Sequence, residues 1–300
     1  MTSARTDVYT RVTNEIVAQL EAGTRPWIQP WLASHAAGCV SRPLRFNAVP
    51  YRGINVVLLW LAAMRHRFTC PLWMTYRQAA ELGGQVRRVE KASLVVYASK
   101  FTRHETGDDG EEQEYEVPFL KSYSVFNCEQ IDGLPARYYA QAEQTLQPTH
   151  RIERAEQFFA NTRADIRHGG SMAYYSPAAD YVQMPPFQSF HDAEKYYATL
   201  LHELTHWTRH PSRLAREFGR KRWGDEGHSM EELVAEMGAA FLCADLGLTP
   251  EVRDDHAAYI ASWLKVLKHD KRAVFAAAAY AQRAADYLHR LQPSGVAHAA

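Results

Sequence analysis

In "LLHELTHWTRH" two histidines stand four residues apart with a glutamate directly after the first: His202, Glu203 and His206. Positions four apart on a helix share a face, so both imidazoles can point at one spot beside it. Such a spot suits a divalent cation. Zinc sites that do chemistry take three protein ligands and leave the fourth position to a water whose proton the ion makes more labile. Glu203, one residue round the helix, can take that proton as the water attacks a carbonyl and deliver it to the leaving amine. The pattern is that of a zinc-dependent peptidase, with another divalent ion such as Mn2+ as the alternative.

A third ligand is needed. A histidine six residues after His206 would supply it in one known spacing, but that position is Ser212. The better source is "SMEELVAEMGAAFL", where Glu232 and Glu236 stand four apart. One can bind metal while the other accepts the N–H of a ligating histidine. Glu232 is the expected ligand and Glu236 the expected orienter. Alternatively Glu231, Glu232 and Glu236 only decorate the first turns of a helix, where the dipole favours negative charge. His228 is a rival ligand or an oxyanion donor. His210, followed by Pro211, falls round the helix from the other two histidines.

The elements that must hold these groups follow from periodicity and caps. Residues 7–22 read as a helix with Val8, Val12, Ile16 and Leu20 on one face and Gly23 closing it. Further helices are expected over 55–67 and 75–84, the latter capped by Thr75. Strands are expected over 85–101 and 117–127, joined by an acidic loop. Residues 131–148 read as a linker. Beyond it come a helix over 149–170, a strand pair at 171–177 and 180–186, the motif helix over 192–210, and helices at about 229–246, 252–268 and 271–290. Tyr181 to Met184 is the expected edge strand, along which an extended peptide could pair.

Composition bounds the class. Three hundred residues, 46% of them hydrophobic, supply a sizeable core. No apolar run approaches the roughly 20 residues of a membrane span, and the N-terminus lacks a signal-peptide stretch, so a soluble cytoplasmic protein with no membrane partner is expected. Cys39, Cys70, Cys128 and Cys243 are scattered without a CxxC pair, which points to buried reduced thiols.

Net charge is zero, yet residues 1–103 hold fourteen Lys and Arg against five Asp and Glu, while 104–129 hold eight acids and one lysine. A basic first half suggests a polyanion partner. Trp27, Trp31, Trp60 and Trp73 lie there among Arg25, Arg42, Arg45, Arg52, Arg77, Arg87 and Arg88. Flat rings that stack on bases, beside cations that meet phosphates, suit single-stranded nucleic acid. The competing reading places the tryptophans in the core and leaves the arginines to solubilise.

Taken together, "DVYTRVTNEIVAQLEAGTRPWIQPW", "YRGINVVLLW", "WMTYRQAAELGGQV" and "YSVFNCEQIDGL" resemble, in order, the N-terminal single-stranded-DNA-binding domain of the plasmid antirestriction ArdC family. "YATLLHELTHWTRHPSRLAR" and "EELVAEMGAAFLCADLG" resemble the zincin-like metallopeptidase domain of the same family. One departure is "RRVEKASLVVY", which stands where relatives tend to carry a glycine-lysine-glutamate turn.

The resemblance implies an α+β protein. A small mixed single-stranded-DNA-binding domain over 1–130 would be followed, after the 131–148 linker, by a zincin-like domain over 149–292. It implies protection of incoming plasmid DNA from host restriction, with metal ligands His202, His206 and Glu232 and base Glu203. Restriction enzymes or other DNA-bound proteins would be the targets. DNA contacts are sought among Arg25, Trp27, Trp31, Arg45, Arg52, Arg77, Arg87 and Arg88. The rival function is a DNA-binding shield or decoy whose metal is structural and cuts nothing. A sequence-specific regulator is disfavoured because no base-reading motif stands out.

Overall fold

A computed structural model describes residues 7–27, 41–106, 112–139, 148–218, 226–248 and 256–293. Trp31, Cys39 and part of the expected linker lie outside them. Helix α1 (Val8–Glu21) buries Val12, Ile16 and Leu20, and the chain leaves it through Gly23 at φ +74°. After β1 (Leu44–Arg45) come α2 (Ile54–His66), β2 (Leu72–Met74) and α3 (Tyr76–Glu81), the last opened by a Thr75–Gln78 capping box. The expected first strand divides into β3 (Gln85–Val86) and β4 (Ser93–Thr106), separated by a turn with Val89 at φ +66°. Strand β5 (Glu112–Asn127) pairs antiparallel with β4 along a long arm, in a sheet ordered β1-β2-β5-β4.

Two expectations about this half are corrected. The linker does not begin at 131, because β6 (Ile131–Asp132) pairs with β3, and Tyr139 closes the segment by donating to the Ile131 carbonyl at 2.6 Å. Nor are all the cysteines reduced. Pairing of β2 with the end of β5 brings Cys70 to Cys128, their Cα atoms 6.8 Å apart and their sulfurs joined as a disulfide. Cys243 is buried and takes no part in this pairing.

The second half opens with α4 (Pro148–Thr162). The chain turns through Arg163 at φ +54° into β7 (Asp165–His168), so the expected 149–170 helix is cut short by a strand. That strand pairs in parallel with β9 (Tyr181–Met184), and β8 (Tyr174–Ser176) lies antiparallel on β9's other side. Strand β9 is therefore central in the order β7-β9-β8. It is not the expected edge.

Helix α5 (Ala193–Trp207) starts at Asp192, whose side chain accepts from Lys195 N at 2.8 Å. Helix α6 (Glu226–Leu246) is buried on most sides and packs against α5, α7 (His256–His269) and α8 (Ala273–Arg290). A helix apolar on most of its surface belongs in the middle of a bundle. Gly238 sets how closely α5 can approach, since a Cβ there would fall 2.6 Å from Thr205 Cγ2. No helix among the described residues is long and apolar enough to cross a membrane.

The two halves share one core. Helix α1 packs on α7 and α2 on α8, with Trp27 edge-on to Trp263 at 5.6 Å and Trp60 against Phe241 at 5.9 Å. Trp27, Trp60 and Trp73 are 0–2% exposed, so the core reading of these tryptophans is correct, and Trp27 cannot stack on a base.

Candidate metal centre

Helix α5 presents His202 and His206 on one face, and α6, packed against it, presents Glu232. The Nε2 atoms of the two histidines lie 3.2 Å apart. One Glu232 oxygen lies 3.5 Å from His202 Nε2 and the other 3.4 Å from His206 Nε2. Ligand atoms on a tetrahedral zinc with bonds of 2.0–2.1 Å stand about 3.3 Å from one another, so these separations fit the donor set of such an ion. Among the described residues this is the one group of three such side chains whose donor atoms all lie within 4.8 Å.

The tautomers point the same way. His206 Nδ1 faces Glu231 at 3.0 Å, a carboxylate that can only accept, so the proton of a neutral ring sits on Nδ1 and Nε2 carries the lone pair. His202 Nδ1 faces Glu236 at 3.7 Å, beyond direct hydrogen-bond length. With His206 Nδ1 committed to Glu231, the 3.2 Å approach of the two Nε2 atoms is bridged by a metal ion or, without one, by a proton. Burial opposes the His206 imidazolium, but Glu232 and Glu231 overcome it and push the ring up to about 10. Glu232 is held well below the usual carboxylate range, the two imidazoles outweighing its burial.

Glu203 is buried beside His202 on α5, and Glu236 lies at the back of the His202 ring. His228 sits buried in the first turns of α6, with Nδ1 3.8 Å from Glu232. His210 is turned toward Ser212 at 2.8 Å.

Two further residues belong to the centre. Glu231 enters the sequence reading only in the alternative that Glu231, Glu232 and Glu236 decorate a helix start, and Arg216 has no part in it. Arg216 grips Glu231 through Nε at 2.8 Å and Nη2 at 2.7 Å, and donates to Thr205 O and Thr208 Oγ1. The resulting chain from Arg216 through Glu231 to His206 is buried throughout. Its only sequence signal was one more glutamate beside Glu232.

The residues sought as DNA contacts scatter. Arg25 is 8% exposed and faces Glu236 at 3.7 Å, so it is withdrawn as a surface contact along with Trp27. Arg52 pairs with Asp286, Arg77 with Glu81, and Arg87 with Glu90 and Asp132, all at exposed positions. Arg45 lies over the Tyr51 ring, and Arg88 is exposed.

Fold and site together define a zincin-like metallopeptidase domain preceded by a smaller mixed α/β N-terminal domain. Residues 153–280 match the family model for a zincin-like metallopeptidase, and residues 6–126 match that for the N-terminal domain of the anti-restriction factor ArdC. The chain belongs to the ArdC antirestriction family.

It is 44% identical to the uncharacterized protein y4eC of Sinorhizobium fredii (strain NBRC 101917 / NGR234), over 96% of this chain and 93% of that protein. It is 37% identical to the DNA primase TraC of Escherichia coli over 96% of this chain but only 27% of the primase. The crystal structure of the antirestriction protein ArdC from plasmid R388 in its metal-free form has a TM-score of 0.80 at 48% identity, covering 95% of this chain and 97% of that one. Its Mn(II)-bound form has a TM-score of 0.78 at 46% identity, covering 95% and 98%.

Proposed function

We propose that this chain protects incoming plasmid DNA from restriction by holding single-stranded DNA on its N-terminal half and hydrolysing peptide bonds at a metal centre in its C-terminal half. The observation that carries the reading is the convergence of His202, His206 and Glu232, with their donor atoms spaced as ligands and both imidazoles backed by carboxylates. The R388 ArdC structure with Mn(II) supports a divalent ion, and the N and O donor set suits zinc equally. When bound, the ion supplies a positive charge that acidifies water and polarises a carbonyl.

The chain's own residues do the rest. Glu203 accepts a proton from the attacking water as the C–O bond forms, and returns it to the amine nitrogen as the C–N bond breaks. In this reading His228, buried with Nδ1 3.8 Å from Glu232, donates to the developing oxyanion. Among the described residues β8 is an outer strand of its sheet and packs on α5, so its free edge replaces that of β9 as the place for an extended peptide.

Loading the site must displace a proton. Because the His206 imidazolium persists up to about pH 10, an ion entering at pH 7–9 releases about one proton, and affinity rises about tenfold per pH unit until pH 10. In the metal-free protein the sign is opposite. Stability from the raised His206 value is fully present below 6.5 and is lost as pH rises through about 10. Titration calorimetry in buffers of different ionisation enthalpy counts the protons, and a pH-independent affinity would contradict this assignment.

For DNA, the exposed aromatic pair Tyr97 and Tyr123, with ring centroids 6.4 Å apart on the β4–β5 arm, replaces the buried tryptophans as the stacking surface. Exposed Arg45 and Arg88 meet phosphates in this reading, while Arg52, Arg77 and Arg87 would exchange a carboxylate partner to do so. Replacing both tyrosines by alanine is expected to weaken binding of single strands by about 1–3 kcal/mol per stacked base, with the salt slope unchanged.

The function as a whole is tested by comparing Glu203→Gln with the parent in antirestriction and cleavage assays. Loss of cleavage by about 10²–10⁴-fold, with weakened protection, is the expected result. Equal protection by both proteins, with cleavage by neither, would favour the shield.

A further inference from the structure

Behind each imidazole of the metal centre stands a carboxylate, and behind each carboxylate an arginine, but the two relays differ in origin. The His206–Glu231–Arg216 relay is built entirely from α5, α6 and the chain between them, with contacts of 2.7–3.0 Å. In the other, His202 Nδ1 lies 3.7 Å from one oxygen of Glu236, and the second oxygen lies 3.7 Å from Arg25 Nη1. Arg25 comes from the opposite end of the chain, just after α1. We propose that Arg25 is a positioning residue for the metal centre: through Glu236 it fixes the ring of His202, so that the N-terminal half completes a site whose ligands all lie in the C-terminal half. This rests on His202, His206 and Glu232 being the ligands.

Three observations support it. The Arg25 and Glu236 side chains are 7% and 9% exposed, and a guanidinium withdrawn from water must sit against negative charge. Its place is set from both sides, by the turn at Gly23 that ends α1 and by Trp27, fully buried against Trp263 of α7. Finally, 3.7 Å is beyond direct hydrogen-bond length, so a shift of under about an ångström makes or breaks each link. This is the adjustable relay, and the seating of α1 decides whether it tightens. By linkage, a seating that strengthens metal binding is itself strengthened by the metal to the same degree.

The test uses the full chain, Zn2+ affinity by chelator competition and the visible spectrum of the Co2+-loaded protein. Arg25→Ala is expected to lower Zn2+ affinity about tenfold or more and to alter the Co2+ bands, with Arg25→Lys restoring part of the loss. Arg25→Gln serves if the alanine variant does not fold. Glu236→Gln should show the same loss, and the double variant should be no weaker than Glu236→Gln alone. Lys268→Ala removes the exposed ion pair with Glu21 that also ties α7 to α1, and should leave affinity unchanged. Parent affinity and spectrum in Arg25→Ala, or additive losses in the double variant, would overturn the proposal. A parent that fails to bind Zn2+ or Co2+ at all would overturn the ligand assignment beneath it.

Discussion

Glu232→Gln is expected to weaken metal binding by more than the roughly 10–100-fold that loss of a carboxylate behind a ligand costs. Both imidazoles approach the ion neutral, so Glu232 alone brings negative charge to the inner donor set. An amide cannot replace that charge, and half of its donor set is an NH2 group with no lone pair to offer. The same carboxylate is what chiefly overcomes burial to keep the His206 imidazolium stable, so in the metal-free variant that ring should titrate well below 10. Chelator competition measures the first effect and NMR titration of the imidazole the second. A loss no larger than that of Glu236→Gln would remove Glu232 from the ligand set.

Arg216→Ala is expected to cost about 3–5 kcal/mol, a large share of the 5–15 kcal/mol typical of a folded protein. Arg216 is 3% exposed and Glu231 2%, so the substitution leaves a carboxylate buried without its guanidinium and frees Thr205 O and Thr208 Oγ1 from their donor. Burial opposes ionisation of Glu231, but Arg216 and His206 together hold it down at about 2. A depressed carboxylate contributes stability that is present above its unfolded value of about 4.5 and fades as pH falls toward 2. The gap between parent and variant in urea unfolding should therefore be widest near neutrality and narrow in acid. Arg216→Lys should recover only part of it, because a point charge cannot grip both carboxylate oxygens and the Thr205 carbonyl together. A cost below about 1 kcal/mol, the worth of an exposed ion pair, would contradict this account.

What could be read from the chain beforehand follows the range of the forces involved. The His202–His206 spacing and the Glu232–Glu236 pair are local, set by the turn of a single helix, and both are legible in the sequence. Which glutamate serves which histidine depends on how α6 rotates against α5 at Gly238, and no spacing within α6 reports that. Arg216 and Arg25 reach the centre through tertiary contacts 15 and 211 residues from their partners, so their chemistry left no local mark.

Composition misled in one direction. Tryptophans among arginines look alike whether they face DNA or a neighbouring helix, and here the docking of α1 and α2 on α7 and α8 accompanies the burial of Trp27 and Trp60. Strand β7 was lost in the helix expected over 149–170, because a four-residue strand following a helix is too short to impose its own period. The Cys70–Cys128 pairing likewise depends on the register of β2 with β5.

Elemental analysis of the purified full chain, dialysed after exposure to Zn2+ or Mn2+, tests the metal centre most directly when run beside His202→Ala. One ion per parent chain and none in the variant is the predicted result. A parent without metal, or a variant that retains as much as the parent, would mean that His202, His206 and Glu232 converge for packing alone.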